Sequence, residues 1–259
     1  MKISLIVTTY NWPEALKLSL DSIKRQTRMP DEVIIADDGS GDATRQLIER
    51  YQSDFPCPLY HSWIPDMGFL AAMSRNEALR RYCTGDYIIF IDQDIILDPH
   101  FVADHEAWAE PGCFVAGGRA KLLPELTRRL TSGELIHLGF FTHGLTRRSN
   151  LIHAPWLEPV MRYMYCWKPL YGRSANMAVW AEDLKKTNGF DEKLTGYGVE
   201  DIDLFNRLLN LGVKKKYAQF AANCYHLYHR RGKVVDRNRH IAFENRNRTF
   251  CPYGLVTLA

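Results

Sequence analysis

Continuous apolar runs alternate with segments of helical periodicity along the first hundred residues of this chain. The run at residues 87–91 is unbroken rather than alternating with polar residues, which is typical of a strand buried on both faces. Further strands are predicted at residues 3–9, 31–36 and 57–63. The segments between them carry apolar residues on one helical face, at residues 13–26, 42–51 and 68–82. This order predicts an α/β fold, with a Rossmann-like, mostly parallel sheet and helices on both faces.

The pattern after residue 110 is less regular. It predicts strands at residues 113–118, 173–180 and 213–225, a short helix ending at Asn188-Gly189, and a longer helix that is opened by residues 196–201 and ends before Gly212. Residues 121–167 follow neither period, and a long irregular stretch in a compact protein is usually functional or mobile. We expect one continuous domain in two parts, residues 1–110 and a mixed part at residues 111–259.

Acidic side chains stand where two predicted strands end. Strand 87–91 runs directly into Asp92-Gln93-Asp94, and strand 31–36 runs into Asp37-Asp38. The carboxyl ends of parallel strands meet at the edge where open α/β sheets bind their ligands. Two carboxylates so placed suit Mg²⁺ or Mn²⁺ shared with a phosphate. A loop that merely begins with polar residues would have the same sequence, so this motif alone leaves both readings open.

Asp201 lies one turn upstream of Leu204, Phe205 and Leu208, on the apolar stripe of the predicted helix that ends before Gly212. A charged group on a buried face is costly without partners, which favours a functional role. Asp is also a good helix N-cap, however, so the pattern leaves a cap and a catalytic acid equally open. If His226 and the acids meet, a metal could stabilise a diphosphate leaving group, and Asp201 could take a proton from a hydroxyl.

Several classes of enzyme are disfavoured by missing motifs. No Gly-x-Gly-x-x-Gly follows the first strand, and no P-loop or Gly-x-Ser-x-Gly elbow is present.

The net charge of +3 is too small to indicate a nucleic-acid partner. No Cys-x-x-Cys pair occurs, and no apolar run reaches the roughly 18 residues of a membrane span. A reduced, cytoplasmic setting fits these features.

The motifs together resemble those of inverting GT-A glycosyltransferases of the family 2 type. In the first hundred residues the matching signatures are Val7-Thr8-Thr9-Tyr10-Asn11, Ala36-Asp37-Asp38-Gly39-Ser40, Gly68, Arg75-Asn76, and Gly85-Asp86-Tyr87 through Asp92-Gln93-Asp94. The second half resembles the C-terminal module shared by β-1,4-galactosyltransferases and bacterial chondroitin-polymerase-like enzymes, through Asn176-Met177-Ala178, Gly189-Phe190-Asp191-Glu192 and Gly196-Tyr197-Gly198-Val199-Glu200-Asp201. That module usually reads Trp-Gly-Gly-Glu-Asp, so Tyr197 and Val199 depart from it, which concerns acceptor preference more than chemistry.

The resemblance implies a role for each matching residue. The nucleotide-binding residues would be Thr9, Tyr10, Asn11, Asp37, Asp38, Gly68, Arg75 and Asp92. Asp94 would be the main carboxylate on Mn²⁺ or Mg²⁺, with Asp92 and His226 completing the metal site. Asp201 would be the general base, and the acceptor would contact Glu200, Tyr197, Gly198 and Asn176.

The expected function is metal-dependent, inverting transfer from a nucleotide-sugar, with UDP favoured, to a glycan or lipid-linked acceptor in bacterial polysaccharide or lipopolysaccharide assembly. A nucleotidyltransferase is one alternative, although Thr9–Trp12 is not its usual glycine- and basic-rich loop. A carbohydrate-binding protein that lost turnover is another. The basic tail after His229 predicts a solvated surface or peripheral contact with anionic lipid.

Overall fold

The computed structural model describes residues 1–157, 159–160, 174–230 and 232–257. Its strands are β1 (Ile3–Thr9), β2 (Glu32–Asp37), β3 (Leu59–Trp63), β4 (Tyr87–Asp92), β5 (Ile95–Leu97), β6 (Cys113–Gly117), β7 (Ala120–Leu122), β8 (Leu145–Thr146), β9 (Met177–Trp180), β10 (Lys214–Ala218) and β11 (Cys224–His226). The α-helices are α1 (Pro13–Ile23), α2 (Asp42–Gln52), α3 (Ala71–Arg81), α4 (Phe101–Trp108), α5 (Pro124–Thr131), α6 (Ala181–Thr187), α7 (Glu200–Asn210) and α8 (Asp236–Asn245). Short 3₁₀ turns lie at Arg148–Leu151, Pro155–Leu157 and Ser174–Asn176.

The central sheet has seven strands in the order β10-β6-β9-β4-β1-β2-β3. β1 pairs in parallel with both β2 and β4, and β2 pairs in parallel with β3. β9 is antiparallel to both of its neighbours, β4 and β6. The prediction of an α/β fold with a mostly parallel sheet is therefore confirmed. β1 to β4 come from residues 1–110 and β6, β9 and β10 from residues 111–259, so the two predicted parts share one sheet.

The alternation of side chains along the buried strands explains why both faces carry helices. In β1, Leu5 and Val7 face one apolar cluster, whereas Ile6 faces another. The first cluster takes apolar residues from α1, α2 and α4, and the second takes them from α3, α6 and α7. Because each strand residue is covered on its own side, unbroken apolar runs are stable here.

A second sheet has four strands in the order β5-β11-β7-β8. It corrects two expectations. Residues 213–225 are not one strand: Phe220 and Ala222 have positive φ angles of 65° and 48°, and the chain turns there from β10 in the central sheet to β11 in the second. The stretch expected to be irregular contains β7, α5 and β8. These strands are only two or three residues long, too short to produce a recognisable period.

The second sheet also determines where the metal-ligand candidates meet. β5 begins directly after Asp94, and β11 pairs with it antiparallel, with His226 opposite Ile95. The N–H of Leu227 donates to the carbonyl of Asp94 over 2.9 Å. Residues about 130 positions apart in sequence are thereby held side by side. Among the described helices none has the length and apolar character needed to cross a membrane.

Candidate active site

A cavity of about 970 Å³ opens at the carboxyl ends of β1, β2 and β4, where parallel sheets bind ligands. It lies between the central sheet, the second sheet and the start of α7. Among the residues that line it are Thr9, Tyr10, Asp38, Arg75, Asp92, Asp94, Tyr197, Gly198, Glu200, Asp201 and His226. The structure thus brings eleven of the fifteen predicted site residues to one place.

Arg75 lines the cavity and forms ion pairs with two of its carboxylates. It is 3% exposed, and its Nη2 contacts Asp92 Oδ1 at 3.0 Å while its Nη1 contacts Glu200 Oε1 at 3.2 Å. Its Nε donates to the hydroxyl of Thr8 over 2.9 Å. One guanidinium therefore ties the end of β1, the end of β4 and the start of α7 together. Burial raises the pKa of Asp92, Arg75 opposes that rise, and neighbouring Asp94 adds to it.

Asp94, His226 and His229 form a group whose ligand atoms lie within 4.8 Å of one another. Asp94 Oδ2 is 3.3 Å from His226 Nε2 and 3.2 Å from His229 Nε2. Burial opposes ionisation of Asp94, but the hydrogen bond from His229 and the nearby imidazoles of His226 and His229 outweigh it and hold the pKa of Asp94 below its usual range. Burial lowers the pKa of His226 to about 4, whereas the hydrogen bond to Asp94 raises that of His229.

This group differs from the predicted metal site in two respects. His229 was not assigned, although the His-x-x-His spacing from His226 was visible in the sequence. Asp92 lies outside the group of three, because its carboxylate pairs with Arg75. The chemistry of the donors suits a divalent ion: the set offers one carboxylate and two imidazoles, and the buried Asp94 Oδ1 has no hydrogen-bond partner among the described residues.

Asp38 is the buried carboxylate at the end of β2, 2% exposed. Its Oδ2 accepts the N–H of Leu70 over 2.8 Å, while its Oδ1 has no partner within the described part of the chain. Burial raises the pKa of Asp38 to about 6, against the lowering effect of the Leu70 N–H and of Arg75. A buried polar oxygen without a partner is unusual in a folded protein and is consistent with a bound ion, water or ligand group.

The start of α7 places two acids against the cavity. The side chains of Glu200 and Asp201 are buried, with 8% and 6% of their surface exposed. Glu200 Oε2 has no hydrogen-bond partner among the residues described. Asp201 Oδ1 accepts the N–H of Ile202 over 2.8 Å. Val199, directly before them, has a φ of 73°. That conformation is strained for a β-branched residue, and strain of this kind concentrates at functional sites. The N-cap alternative for Asp201 is excluded, since it lies inside the helix and Val199 is the N-cap.

Four predicted site residues do not line the cavity. Asn11 fastens two loops together, with its Oδ1 accepting the N–H of Gly41 over 2.9 Å. Asp37 is fully buried and bonded to His61 and to the N–H of Ser40. Gly68 makes a tight turn at φ +89°.

Asn176 is the fourth of these residues. Its side chain is fully buried, bonded to His105 and to the carbonyls of Gly118 and Ala222. Its hydrogen-bonding groups are already used by the protein, so it supports the cavity wall from behind and has no free group for an acceptor.

Sequence reasoning also missed Gln93, the middle residue of the acidic motif. Its Oε1 accepts the hydroxyl of Thr9 over 2.6 Å and the N–H of Tyr10 over 3.2 Å, and its Nε2 donates to the Tyr10 carbonyl. It thus orders the loop after β1. Basic residues of the second sheet and of the chain after His229 were missed as cavity residues too; their sequence neighbours carry no recognisable motif.

Comparison with known proteins gives the family. The model of the family described as glycosyl transferase family 2 matches residues 4–165, more than half of the chain. The chain belongs to glycosyl transferase family 2. A second model, described as the N-terminal domain of galactosyltransferase, matches residues 158–230. Both resemblances predicted from the motifs are confirmed.

Individual relatives agree with this assignment. A validoxylamine A glucosyltransferase from Streptomyces hygroscopicus subsp. limoneus is 28% identical over 237 residues, covering 82% of this chain and 48% of the relative. The structure of S. aureus TarS 1–349 in complex with UDP matches with a TM-score of 0.63 at 18% identity, covering 95% of this chain and 64% of that one. The mannosyltransferase PcManGT from Pyrobaculum calidifontis, in complex with GDP-Man and Mn²⁺, matches with a TM-score of 0.62 at 20% identity, covering 89% and 58%.

These likenesses confirm the predicted GT-A fold. The chain spans about half the length of two validoxylamine A glucosyltransferases that it matches, and 23% of the length of a hyaluronan synthase from Pasteurella multocida.

Proposed function

We propose that this chain transfers a sugar from a nucleotide-sugar, with UDP as the favoured nucleotide, to a hydroxyl group of a glycan or glycolipid, with inversion and with the help of a divalent metal. The observation that carries the proposal is the single cavity shared by the Asp94–His226–His229 group, the Arg75 ion pairs and the acids of α7. Family 2 membership and the complexes of TarS with UDP and PcManGT with GDP-Man support a nucleotide-sugar donor.

The metal would be held by Asp94, His226 and His229. Mixed carboxylate and imidazole donors favour Mn²⁺ over Mg²⁺, which prefers oxygen ligands and keeps several waters. When bound, the ion would neutralise the charge that develops on the departing diphosphate. His226 supports this assignment, because an imidazole whose pKa is about 4 has a free lone pair at neutral pH.

Other residues of the cavity would bind the donor and the acceptor. Thr9, Tyr10 and Asp38 line the part of the cavity next to β1 and β2, where Asp38 Oδ1 would accept a hydrogen bond from the base. Arg75 would hold the ends of β1 and β4 in place. Glu200 and Tyr197 would bind the acceptor, with Gly198 leaving room beside them.

Asp201 would act as the general base. The acceptor oxygen attacks the anomeric carbon, its proton passes to Asp201, and the bond between the anomeric carbon and the diphosphate oxygen breaks. Attack from the face opposite the leaving group inverts the configuration. A product of retained configuration, determined by proton NMR, would refute this mechanism, and so would full transfer by Asp201→Asn.

The donor site is tested by isothermal titration with UDP, GDP and dTDP, each with and without Mn²⁺. We expect manganese-dependent binding of one nucleotide that is lost in Asp94→Ala and in His229→Ala. Asp86→Ala is the matched control, because Asp86 is exposed at the opposite end of the same strand. Failure of the wild-type protein to bind any of the three would refute the donor assignment and favour a non-catalytic role.

The setting of the reaction remains a prediction. Family membership and two relatives, a hyaluronan synthase from Pasteurella multocida and an O-antigen chain rhamnosyltransferase from Salmonella typhimurium, support a role in bacterial polysaccharide or lipopolysaccharide synthesis. The basic tail after His229 would allow cytoplasmic protein to contact anionic lipid, each cation contributing about 1 kcal/mol near such a surface. Sedimentation with vesicles containing anionic lipid tests this, and absence of the protein from the pellet would refute it. No feature of the site favours nucleotidyl transfer.

A further inference from the structure

Four basic side chains line one wall of the cavity beyond the metal-ligand group. Arg119 and Lys121 are half-buried, while Arg147 and Arg230 are exposed at the mouth. We refer to these four residues as the cationic row. The carboxylates that line the cavity lie elsewhere, at the ends of β2 and β4 and on α7. Arg119, at the inner end of the row, acts electrostatically on Asp92 and Asp94, whereas Arg147 and Arg230 lie at the mouth.

The second sheet arranges this row so that it leads away from the metal-ligand group. His226 in β11 lies beside Lys121 in β7, and Lys121 pairs with Thr146 in β8, directly before Arg147. Neighbouring strands lie about 4.8 Å apart, so the strand that delivers Arg147 is roughly 10 Å from the strand of His226. A diphosphate held by the Asp94–His226–His229 group would therefore lie nearer to Lys121 than to Arg147.

One residue, Asn150, holds the backbone of two members of the row. Asn150 donates its side-chain amide to the carbonyl of Arg119 over 2.9 Å, and its backbone N–H donates to the carbonyl of Arg147 over 3.0 Å. A Cβ on Gly118 would lie 2.5 Å from Asn150 Oδ1, so glycine is needed there. Arg147 adopts a φ of 56°, which costs a non-glycine residue energy and persists only where the surroundings impose it. The row is thus held by specific contacts.

The charges of Arg147 and Arg230 distinguish these two residues from the inner members of the row. Among the described residues, the guanidinium groups of Arg147 and Arg230 have no ion pair or hydrogen bond, whereas the charge of Arg119 acts on Asp92 and Asp94. The donor does not account for them all, because a divalent metal would already offset much of the charge of the diphosphate. Paired or adjacent guanidinium groups are well suited to carboxylates and phosphates, which they bind through two parallel hydrogen bonds.

We propose that the acceptor carries an anionic group, a sugar carboxylate or a phosphate, which Arg147 and Arg230 bind at the cavity mouth while the acceptor hydroxyl points towards Asp201. This inference rests on the proposed function and deepens it by naming the class of acceptor. Long-range attraction would also draw such an acceptor past the mouth, and this effect weakens with added salt.

The test measures binding of small probes to the whole chain with its donor site saturated by UDP and Mn²⁺. The probe pairs are methyl β-glucuronide against methyl β-glucoside, and glucose 6-phosphate against glucose. We expect the charged member of at least one pair to bind roughly ten-fold tighter than its neutral partner. The pair with the larger ratio distinguishes a carboxylate from a phosphate. Equal binding within both pairs overturns the inference.

The double variant Arg147→Gln/Arg230→Gln supplies the second measurement. It should remove most of the preference for the charged probe while UDP affinity stays unchanged. Arg25→Gln is the matched control, since Arg25 is exposed and does not line the cavity. Loss of UDP affinity in the double variant would assign these residues to the donor and overturn the inference. Absence of UDP binding to the wild-type protein would instead refute the proposed function itself.

Discussion

Replacing Arg75 by glutamine removes the one buried cation that joins three elements of the site. Arg75 contacts Asp92 at 3.0 Å, Glu200 at 3.2 Å and the hydroxyl of Thr8 at 2.9 Å. In Arg75→Gln both carboxylates remain enclosed without their positive partner, and the amide can replace only part of the hydrogen bonding.

The expected cost follows from the burial of these groups. Removing one partner of a buried ion pair typically costs about 3–5 kcal/mol, because an uncompensated charge remains. Asp92 is 36% exposed along its side chain, so water will relieve part of its penalty, whereas Glu200 is only 11% exposed. We therefore expect a loss of about 3 kcal/mol in the free energy of unfolding of Arg75→Gln.

The measurement is unfolding in urea followed by circular dichroism, at constant pH and ionic strength. Arg80→Gln is the control, because Arg80 lies on the same helix and also binds two carboxylates, Glu77 and Glu192, but is 33% exposed. Exposed pairs contribute about 0–1 kcal/mol, so its loss should be at most about 1 kcal/mol.

The double variant Arg75→Gln/Glu200→Gln completes a mutant cycle. Its loss should be smaller than the sum of the two single losses, because the second change removes the charge that the first left unpaired. Equal losses for Arg75→Gln and Arg80→Gln, or strict additivity in the cycle, would refute the reasoning.

Three further predictions concern single side chains. Burial raises the pKa of Asp38 to about 6 in the folded protein, above the unfolded value near 4. Protonation of Asp38 therefore stabilises the folded state fully below pH 4, and this stabilisation is lost as the pH rises through 6. In urea unfolding at pH 7.5, Asp38→Asn should therefore raise the free energy of unfolding by about 2 kcal/mol relative to wild type, and this gain should vanish by pH 4. Its affinity for UDP should fall. An equal gain in stability at both pH values would contradict this prediction. Val199→Gly should stabilise the protein by about 1 kcal/mol in thermal unfolding by relieving a φ of 73°, whereas Val235→Gly, at φ −71°, should destabilise it. Arg207→Met should lose about 3–5 kcal/mol in urea unfolding, since Arg207 is fully buried against Asp203 and two carbonyls; a loss below 1 kcal/mol would contradict its role.

The order of the elements in the first half was readable because those elements are long and buried. Unbroken apolar runs such as Ile3–Thr9 can be stable only between two layers, so they report the layering directly. The acids at the ends of β2 and β4 could also be placed, since parallel topology alone brings those ends to one edge. Asp38, Asp92 and Asp94 accordingly lie where the pattern predicted.

The second half was less readable because its elements are short and its contacts are distant in sequence. β7, β8 and β11 have two or three residues each, and no period can be recognised over such lengths. Nothing in the local sequence separated Asp37, which is bonded away from the cavity, from Asp38, which lines it. Likewise Asn176 matched a motif but is enclosed behind the wall by partners from three other segments.

By itself, then, the sequence determined the layered α/β fold, the family and the acids that could carry the chemistry, because these depend on local patterns and short motifs. Only the tertiary structure decided which groups meet: His229 with Asp94 and His226, Arg75 with Glu200, and the cationic row on the second sheet. The physical reason is that a ligand set or an ion pair depends on distances across strands that the chain joins through long connections. Such distances follow from pairing register, which a single sequence does not specify when the strands are short.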